Sequence, residues 1–228
     1  MRKRQIVVVG LGQFGLSIAT SFTRLGHDVL GLDIDSSKVR AADGIISKSI
    51  ECDTTNRKAV EELGLSEINI ALVAIGSGNL EANILTTTLF KNIGIEFVSS
   101  RSLGEIHNKT LEYLGVNVLH PEENEGSKLA RRIFIPYCID FMSLGGKYGI
   151  AKIVVPAKMS GKNLKEIGFS TAIGRRDLAL LALRRSDWNE LNPDLDNPEF
   201  KLKEGDVLIA SGDDERLEKL FFKENKDN

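Results

Sequence analysis

Three glycines near the amino terminus lie at the spacing of a turn that holds phosphates. Gly10, Gly12 and Gly15 follow the apolar run Gln5–Val9 and open a helical pattern. Gly10 permits a tight turn between strand and helix, Gly12 lets a pyrophosphate approach the backbone, and Gly15 lets the helix pack closely on the strand. The helix then offers free N–H groups and a positive dipole end to phosphates. The spacing predicts a nucleotide site; the alternative is a glycine turn without a ligand.

An acidic residue at the end of the next apolar run extends this prediction to the ribose. Asp33 lies 18 residues after Gly15, at the tip of the second predicted strand, where its carboxylate can accept both ribose hydroxyls. An acid at this point repels a 2′-phosphate, so the site favours an adenosine nucleotide or NAD over NADP. Asp35 and Lys38 are further candidates, and the alternative for both is to cap and solvate the next helix.

Later strands of the same pattern end in further candidate residues. Asp53 could accept a hydrogen bond from the adenine amine, or Asp53 or Thr54 could instead cap the following helix. Gly76 would keep the backbone close to the ligand without a side-chain clash. Arg101 either faces phosphates or a ribose or is a solvated surface residue. Glu122 as a ligand requires a metal ion or an inter-subunit contact, because an acid repels phosphate.

The elements that would position these residues alternate between strand and helix over the first 120 residues. The strand patterns are short and apolar, as expected for strands buried on both faces; they cover residues 5–9, 28–33, 45–50, 70–75, 96–100 and 117–119. The helical patterns lie between them, at residues 14–25, 36–41, 56–63, 79–92 and 105–114. We therefore predict an α/β fold with a Rossmann-like, doubly wound parallel sheet.

A second unit with a different rhythm follows. One more helical pattern covers residues 123–134, and Pro136 ends it. Apolar runs at 139–144, 150–155, 178–183 and 207–211 are then separated by glycine turns, with short helical patterns at 163–167 and 214–222. The rhythm predicts a small α+β C-terminal domain, of a size that often dimerises. The predicted divisions are a nucleotide-binding domain over 1–120, a helix and linker over 121–137, the small domain over 138–223 and a tail over 224–228.

Composition and charge exclude several classes of function. The net charge of −2 and the isoelectric point of about 6.0 indicate no nucleic-acid partner and no direct lipid partner. No apolar stretch approaches the ~20 residues of a membrane span, and the run behind the basic residues 2–4 is too short for a signal peptide. Two cysteines are too few for a disulfide framework, which fits a reducing cytosol.

No catalytic set accompanies the predicted nucleotide site. The sequence has no plausible Ser/His/Asp or Cys/His arrangement, no lysine in a nucleophilic motif and no Cys/His cluster with metal-ligand spacing. The second domain is small and poor in histidine, unlike the substrate half of a dehydrogenase. We therefore predict a protein that binds without chemistry and is not an enzyme; the alternative is an NAD-dependent oxidoreductase.

The order of these motifs resembles the regulator-of-potassium-conductance (RCK) family, the cytosolic gating subunits of bacterial Ktr and Trk potassium-uptake systems. The similarity covers nearly the whole chain. The matching residues are Gly10, Gly12, Gln13, Phe14 and Gly15 of the glycine turn, Asp33, Ile34 and Asp35, then Cys52, Asp53 and Thr54, then Ala74, Ile75 and Gly76, Arg101, the pair Leu114 and Gly115, the run His120, Pro121 and Glu122, and residues 205–212 near the end.

The resemblance implies a nucleotide-binding N-terminal domain, a crossover helix within 121–137 and a C-terminal domain of the TrkA-C type. It implies homodimers that assemble into an octameric ring and dock on a membrane-embedded pore subunit of the KtrB or TrkH type, at the inner face of the cell membrane. ATP/ADP, or NAD(H) in the Trk branch, would control the pore, and a divalent or monovalent cation could bind beside the nucleotide at Glu122. Some relatives bind cyclic di-AMP in the small domain, and the sequence leaves that ligand undecided.

One position departs from the family pattern. In Ktr-type members the residue after the second glycine is often an arginine that reaches the terminal phosphate, whereas this chain has Gln13. A neutral amide cannot supply that charge. The departure predicts weak discrimination between ATP and ADP at this position.

Overall fold

The computed structural model describes residues 3–76, 78–167, 169, 178–185 and 201–222, and the chain divides into two compact units. The first unit ends at Pro121 and the second begins at Glu122. The predicted tail, residues 224–228, lies outside the described residues.

The first unit is a six-stranded sheet with helices between its strands. Its strands are β1 Gln5–Val9, β2 Asp28–Asp33, β3 Lys48–Glu51, β4 Ile70–Val73, β5 Phe97–Arg101 and β6 Asn117–Leu119. Its helices are α1 Gln13–Arg24, α2 Ser36–Ala42, α3 Arg57–Glu62, α4 Leu80–Ile93 and α5 Glu105–Tyr113, with a short 3-10 helix at Leu65–Glu67.

The sheet has the order β3-β2-β1-β4-β5-β6, and each neighbouring pair is parallel. The strand order reverses between β1 and β4. In doubly wound sheets the crevice beyond the carboxyl ends of the strands at such a point is where ligands bind. The prediction of a Rossmann-like parallel sheet is confirmed.

The central strand β1 shows why the sheet is buried on both faces. Val7 and Val9 belong to one core cluster with Phe90 of α4, whereas Ile6 and Val8 belong to another with Ala19 of α1. Successive side chains of a strand point to opposite faces, so a strand between two helical layers is apolar at consecutive positions. The helices therefore lie on both faces and leave the carboxyl edge of the sheet for a site.

Two strand boundaries differ from the prediction where the chain turns. The third predicted strand, 45–50, begins only at Lys48. The N–H groups of Ile45 and Ile46 donate to the carbonyl of Ala42 and close the end of α2, so these residues are not paired with β2. The fourth predicted strand, 70–75, ends at Val73, where the ladder with β5 also ends.

The second unit is a small antiparallel sheet with two helices. Its elements are α6 Pro121–Phe134, β7 Cys138–Gly145, β8 Tyr148–Val154, β9 Ala179–Arg184, β10 Val207–Asp213 and α7 Asp214–Phe222, with a 3-10 helix at Ala157–Met159. The sheet has the order β7-β8-β10-β9, and its core includes Phe141, Ile153, Leu208 and Leu217. The prediction of a small α+β domain is confirmed. No helix among the described residues is long and apolar enough to cross a membrane.

The predicted helix at 163–167 is wrong. The structure has a single turn there, and Asn163 itself bridges to Lys201. The Asn163 side chain accepts from the Glu166 N–H at 2.9 Å, and the Glu166 carboxylate accepts from the Asn163 N–H at 2.6 Å. This reciprocal pair is a helix-start signal, but five residues are too few to offset the unfavourable first turn of a helix.

Candidate nucleotide-binding site

A cavity of about 600 Å³ lies at the carboxyl ends of strands β1 to β5, within the first unit. Most of the predicted site residues line it: Gly10, Gly12, Phe14, Gly15, Asp33, Ile34, Lys38, Asp53, Thr54, Ala74, Ile75, Gly76 and Arg101. The fold brings these distant residues together because the carboxyl ends of parallel strands meet at one edge of the sheet. The volume falls in the range of roughly 300–1,000 Å³ that is usual for small-molecule sites.

Three predicted residues do not line this cavity. Gln13 is exposed at the first position of α1, and Asp35 is the N-cap residue of α2. Glu122 lies in the first turn of α6, in the second unit. Within the described part of the chain, no group of three or more His, Cys, Asp or Glu side chains could hold a metal ion.

The glycine turn has the geometry that its spacing predicts. Gly10 has a φ of +87°, a left-handed conformation that favours glycine, and its N–H donates to the carbonyl of Leu32 at 2.8 Å. A side chain on Gly15 would overlap the carbonyl oxygen of Gly10, so α1 packs on the turn only with glycine there. A Cβ on Gly12 would meet no atom within 4 Å. A side chain at Gly12 would thus extend into open space beside the cavity.

The amino terminus of α1 is open toward the cavity. Its N-cap residue, Gly12, makes no side-chain hydrogen bond to the helix, and the first turn contains no acid. By contrast, the side chains of Asp35, Asn56 and Asn79 cap α2, α3 and α4. An uncapped terminus leaves N–H groups and the positive end of the helix dipole for an anion.

Asp33, the predicted ribose ligand, contacts the glycine turn. It is only 6% exposed. Its Oδ2 accepts from the N–H of Leu11 at 2.7 Å, and its Oδ1 accepts from the N–H of Asp35 at 2.9 Å. A carboxylate has about four acceptor positions, so capacity is left for ribose hydroxyls. Asp33 therefore shapes the phosphate turn as well as facing the cavity, a structural role that its position in the sequence did not reveal.

Asp35 caps a helix, whereas Lys38 lines the cavity. The Asp35 carboxylate accepts from Ser37 N–H at 2.9 Å and Ser37 Oγ–H at 2.6 Å, which is helix capping. These hydrogen bonds, with a smaller contribution from the charge of Lys38, lower the pKa of Asp35. Lys38 lines the cavity, with its Nζ 3.7 Å from Asp33 Oδ1 and 3.8 Å from Asp35 Oδ2. Lys38 thus places a positive charge beside Asp33.

Neither Asp53 nor Thr54, which follow β3, caps α3, because the N-cap residue of that helix is Asn56. Asp53 instead closes a local turn, accepting from the N–H and the hydroxyl of Thr55 at 3.0 and 2.6 Å. The Thr54 hydroxyl is buried and lies 2.8 Å from that of Thr86 in α4. Cys52 also lines the cavity, and burial, with a smaller effect of Asp53, raises the pKa of its thiol.

Arg101, at the end of β5, lies beside the first turn of α1. Its guanidinium carbon is 5.3 Å from the ring centroid of Phe14, a cation–π distance. Arg101 lines the cavity and is partly buried, so it is not a solvated surface residue. The cavity thus has one cation at the end of β5 and another, Lys38, in α2, the helix that follows β2.

Sequence reasoning missed one wall of the cavity. The additional lining residues are Val9, Cys52, Thr55, Asn79, Glu81, Ala82 and Leu85. Four of these, from Asn79 to Leu85, belong to the start of α4. Glu81 and Leu85 are one turn apart on that helix, a spacing that puts two side chains on the same face. The spacing of Glu81 and Leu85 is visible in the sequence. It indicates a ligand site only once α4 is known to flank the point where the strand order reverses.

Comparison with known proteins agrees with this fold. A family model described as the TrkA-N domain matches residues 6–121, which contain every residue of the cavity. The chain belongs to the TrkA-N family. The family resemblance that the sequence motifs suggested is confirmed.

Relatives of this TrkA-N protein match over almost its full length. It is 29% identical over 213 residues to Ktr system potassium uptake protein A of Bacillus subtilis (strain 168), covering 93% of each chain. It is also 29% identical over 184 residues to Ktr system potassium uptake protein C of that bacterium, covering 80% of this chain and 81% of the relative. The protein A of Vibrio alginolyticus is 27% identical over 215 residues, with 94% of each chain covered.

Solved structures with the same fold include the RCK domain of GsuK. That structure has a TM-score of 0.62 and 15% identity, and it covers 100% of this chain and 49% of the solved chain. A structure of the GsuK channel bound to NAD has a TM-score of 0.60 and 14% identity, and it covers 100% of this chain and 41% of the solved chain. The TrkA-N protein therefore spans about half or less of these solved chains, and at such identities the likeness establishes the fold.

Proposed function

We propose that this protein is a cytosolic, nucleotide-binding regulatory subunit of a bacterial potassium channel or transporter of the Ktr/Trk type. The observation that carries the proposal is the similarity along both units to Ktr system potassium uptake proteins, together with the cavity at the switch point of the sheet, which would hold the nucleotide.

The proposed ligand is ATP/ADP or NAD(H). The uncapped start of α1 would hold the phosphates, and Asp33 would hold the ribose hydroxyls. Asp53 and Ile34, which line the cavity, would contact the base. NAD is supported further by the fold shared with the GsuK channel that was solved with NAD. Whether the small domain takes a second ligand such as cyclic di-AMP is left open.

The proposed mechanism is a population shift without chemistry. A nucleotide that binds one conformation of the assembly better than another biases the pore toward the corresponding state. The alternative, an NAD-dependent oxidoreductase, requires a catalytic acid or base from the second domain. Support for regulation comes from relatives that span both domains and are potassium uptake proteins.

The proposed partners are a membrane-embedded pore subunit and further copies of this chain. Residues 121–137, which include α6, would form a crossover helix and linker between the two domains. Homodimers would assemble into an octameric ring at the inner face of the cell membrane. The proposed role of Glu122 is either to bind a cation or to make a contact between subunits of that assembly.

Calorimetric titration and ion flux together test the function. Purified protein is titrated with ADP, ATP and NADH, and Gly12→Val is the matched control because the Cβ position of residue 12 has no protein atom within 4 Å. The same two proteins are then added to liposomes that contain the potassium transporter subunit of the same organism. We expect nucleotide to bind only the unaltered protein and to change potassium flux only with it. Failure of all three nucleotides to bind would contradict the proposal.

A further inference from the structure

A buried asparagine lies beneath the side of the cavity formed by β4 and β5. Asn83 is the fourth residue of α4, and it is 0% exposed. Asparagine is an unfavourable residue inside a helix, and a buried carboxamide without partners is strongly destabilising. Its presence in the core therefore requires that its donors and its acceptor be satisfied.

The carboxamide of Asn83 joins the ends of both strands. Its Nδ2 donates to the carbonyl oxygens of Ile75 and Arg101, each at 3.4 Å, and its Oδ1 accepts from Ser100 Oγ at 2.8 Å. The ladder between β4 and β5 ends at the pair Val73 and Ser100, so both carbonyls lie beyond it. Asn83 thus continues the connection between the two strands past the end of their backbone pairing.

The two carbonyls belong to residues that line the cavity, whereas Asn83 does not line it. Ile75 directly precedes Gly76, and the ideal Cβ position of Gly76 is 3.6 Å from Arg101 Nη1. Arg101 in turn lies over the ring of Phe14 at 5.3 Å. A change in the separation of the two carbonyls would therefore move Gly76 and Arg101 relative to a ligand.

We propose that Asn83 is a positioning residue of the nucleotide site, which fixes the loop after β4 against the end of β5 and so holds Arg101 over the cavity. This inference rests on the proposed nucleotide-binding function. Asn83 acts through the backbone of Ile75 and Arg101 and does not touch the ligand. Its removal should therefore weaken nucleotide binding by more than its effect on the fold alone explains.

The same network supplies a matched control. Thr87 is equally buried, and its hydroxyl donates to Ser100 Oγ at 3.1 Å. Thr87 makes this hydrogen bond one step further from the cavity, and it is not among the lining residues. Thr87→Val removes a buried hydrogen bond of the same network without changing the contacts of Asn83 to the two carbonyls.

The first experiment compares Asn83→Asp with Thr87→Val. Asp has the same shape and can still accept from Ser100, but its carboxylate cannot donate, so the hydrogen bonds to the carbonyls of Ile75 and Arg101 are lost. For each protein the melting temperature without ligand and the dissociation constant for ADP are measured. We expect both variants to melt at lower temperature, and only Asn83→Asp to bind ADP at least about tenfold more weakly. Equal ADP affinity in Asn83→Asp and the unaltered protein would overturn the proposal.

A double-mutant cycle tests whether the effect passes through Arg101. Arg101→Ala is combined with Asn83→Asp, and coupled residues give non-additive changes. We expect Asn83→Asp to change ADP affinity by less than about twofold once Arg101 is absent. A further loss of about tenfold or more in that background would contradict action through Arg101.

If Asn83→Asp does not fold, Ser100→Ala removes the donor that orients Oδ1, and a smaller loss of ADP affinity is expected. Unchanged ADP affinity in Ser100→Ala would then overturn the proposal. The titration of the unaltered protein decides the proposed function by itself, whereas the variants decide the role of Asn83.

Discussion

The two sides of the cavity are built in different ways. On the side of β1 and β2, backbone groups make the shape: a glycine turn whose N–H at Leu11 is held by Asp33. On the side of β4 and β5, a buried side chain of α4 makes it, with Asn83 bridging the carbonyls of Ile75 and Arg101. We call the β1 and β2 side backbone-built and the β4 and β5 side side-chain-built. Substitutions on the backbone-built side should abolish nucleotide binding or destabilise the fold, whereas substitutions on the side-chain-built side should weaken nucleotide binding by a smaller factor.

The largest expected effects separate two glycines of the backbone-built side. Gly12→Val should abolish nucleotide binding while the protein still folds, because the Cβ position of residue 12 has no protein atom within 4 Å. Gly15→Ala should instead destabilise the fold, because even a methyl group overlaps the carbonyl oxygen of Gly10. Overpacking of this kind costs about 1–3 kcal/mol or more. Urea unfolding and nucleotide titration measure the two effects separately.

A Gly12→Val protein that binds ADP normally would show that phosphates do not lie at this turn. A Gly15→Ala protein as stable as the unaltered one would show that α1 can move away from the turn. Either result would contradict the assignment of a binding role to Gly12 and a folding role to Gly15.

The next effect concerns the ribose. Asp33→Ala removes a charged acceptor, and hydrogen bonds to charged groups contribute roughly 1.5–3 kcal/mol. We expect the affinity for ADP and for NADH to fall at least about tenfold. Asp35→Ala is the control, because it removes a nearby carboxylate that caps α2 but does not line the cavity. Calorimetry with unchanged affinity for both nucleotides in Asp33→Ala would exclude Asp33 as the ribose ligand.

The same contrast explains what could be predicted from sequence. Gly10, Gly15 and Asp33 were identified because the turn and the strand end that they serve are local, and their residue types follow from local geometry. Asn83, Thr86 and Ser100 carried no such signal. Their contacts join α4 to segments after β3, β4 and β5, so their role exists only after the chain has folded.

Strand edges and short helices were predicted less well for a related reason. An apolar pattern marks burial, but it does not mark where hydrogen bonding passes from a sheet to a turn. Ile45 and Ile46 are apolar and follow α2, yet their N–H groups close that helix. The parallel core of the first unit was predictable because its strands are apolar on both faces, as β1 is.

A smaller effect, on the side of β5, is a dependence on pH. His107 is 2% exposed, and its Nδ1 accepts from the N–H of Leu103 at 3.1 Å, after β5. Burial lowers the pKa of His107. As the pH falls below about 6.5, the usual histidine pKa, the unfolded chain binds a proton that the folded chain does not. The contribution of His107 to the free energy of unfolding is therefore complete above that pH. It is lost as the pH falls toward the lower pKa of the folded state, by at most about 1.4 kcal/mol per pH unit.

Urea unfolding at about pH 7.5 and pH 5.5, on either side of the histidine pKa, measures this term. The unaltered protein should lose more stability between the two conditions than His107→Gln, whose amide oxygen can still accept from Leu103. An equal loss in both proteins would show that His107 does not cause the pH dependence in this range.

The smallest expected effect concerns Gln13, at the start of α1 on the backbone-built side. A terminal phosphate adds negative charge, and an arginine would bind it with strong paired hydrogen bonds. Gln13 is exposed, does not line the cavity and offers only a neutral donor. We therefore expect the unaltered protein to separate ATP from ADP by less than about tenfold, which is under about 1.4 kcal/mol.

Gln13→Arg should widen that gap in favour of ATP, and Gln13→Lys should widen it less, because an ammonium is a point charge without the planar fork of a guanidinium. Competition between ATP and ADP, with and without a divalent metal, measures the gap in all three proteins. A preference for ATP that requires metal would indicate a cation site. A preference for ATP that requires Arg101 would indicate a contribution from the side-chain-built side of the cavity. A preference of about a hundredfold in the metal-free, unaltered protein would contradict the role assigned to position 13.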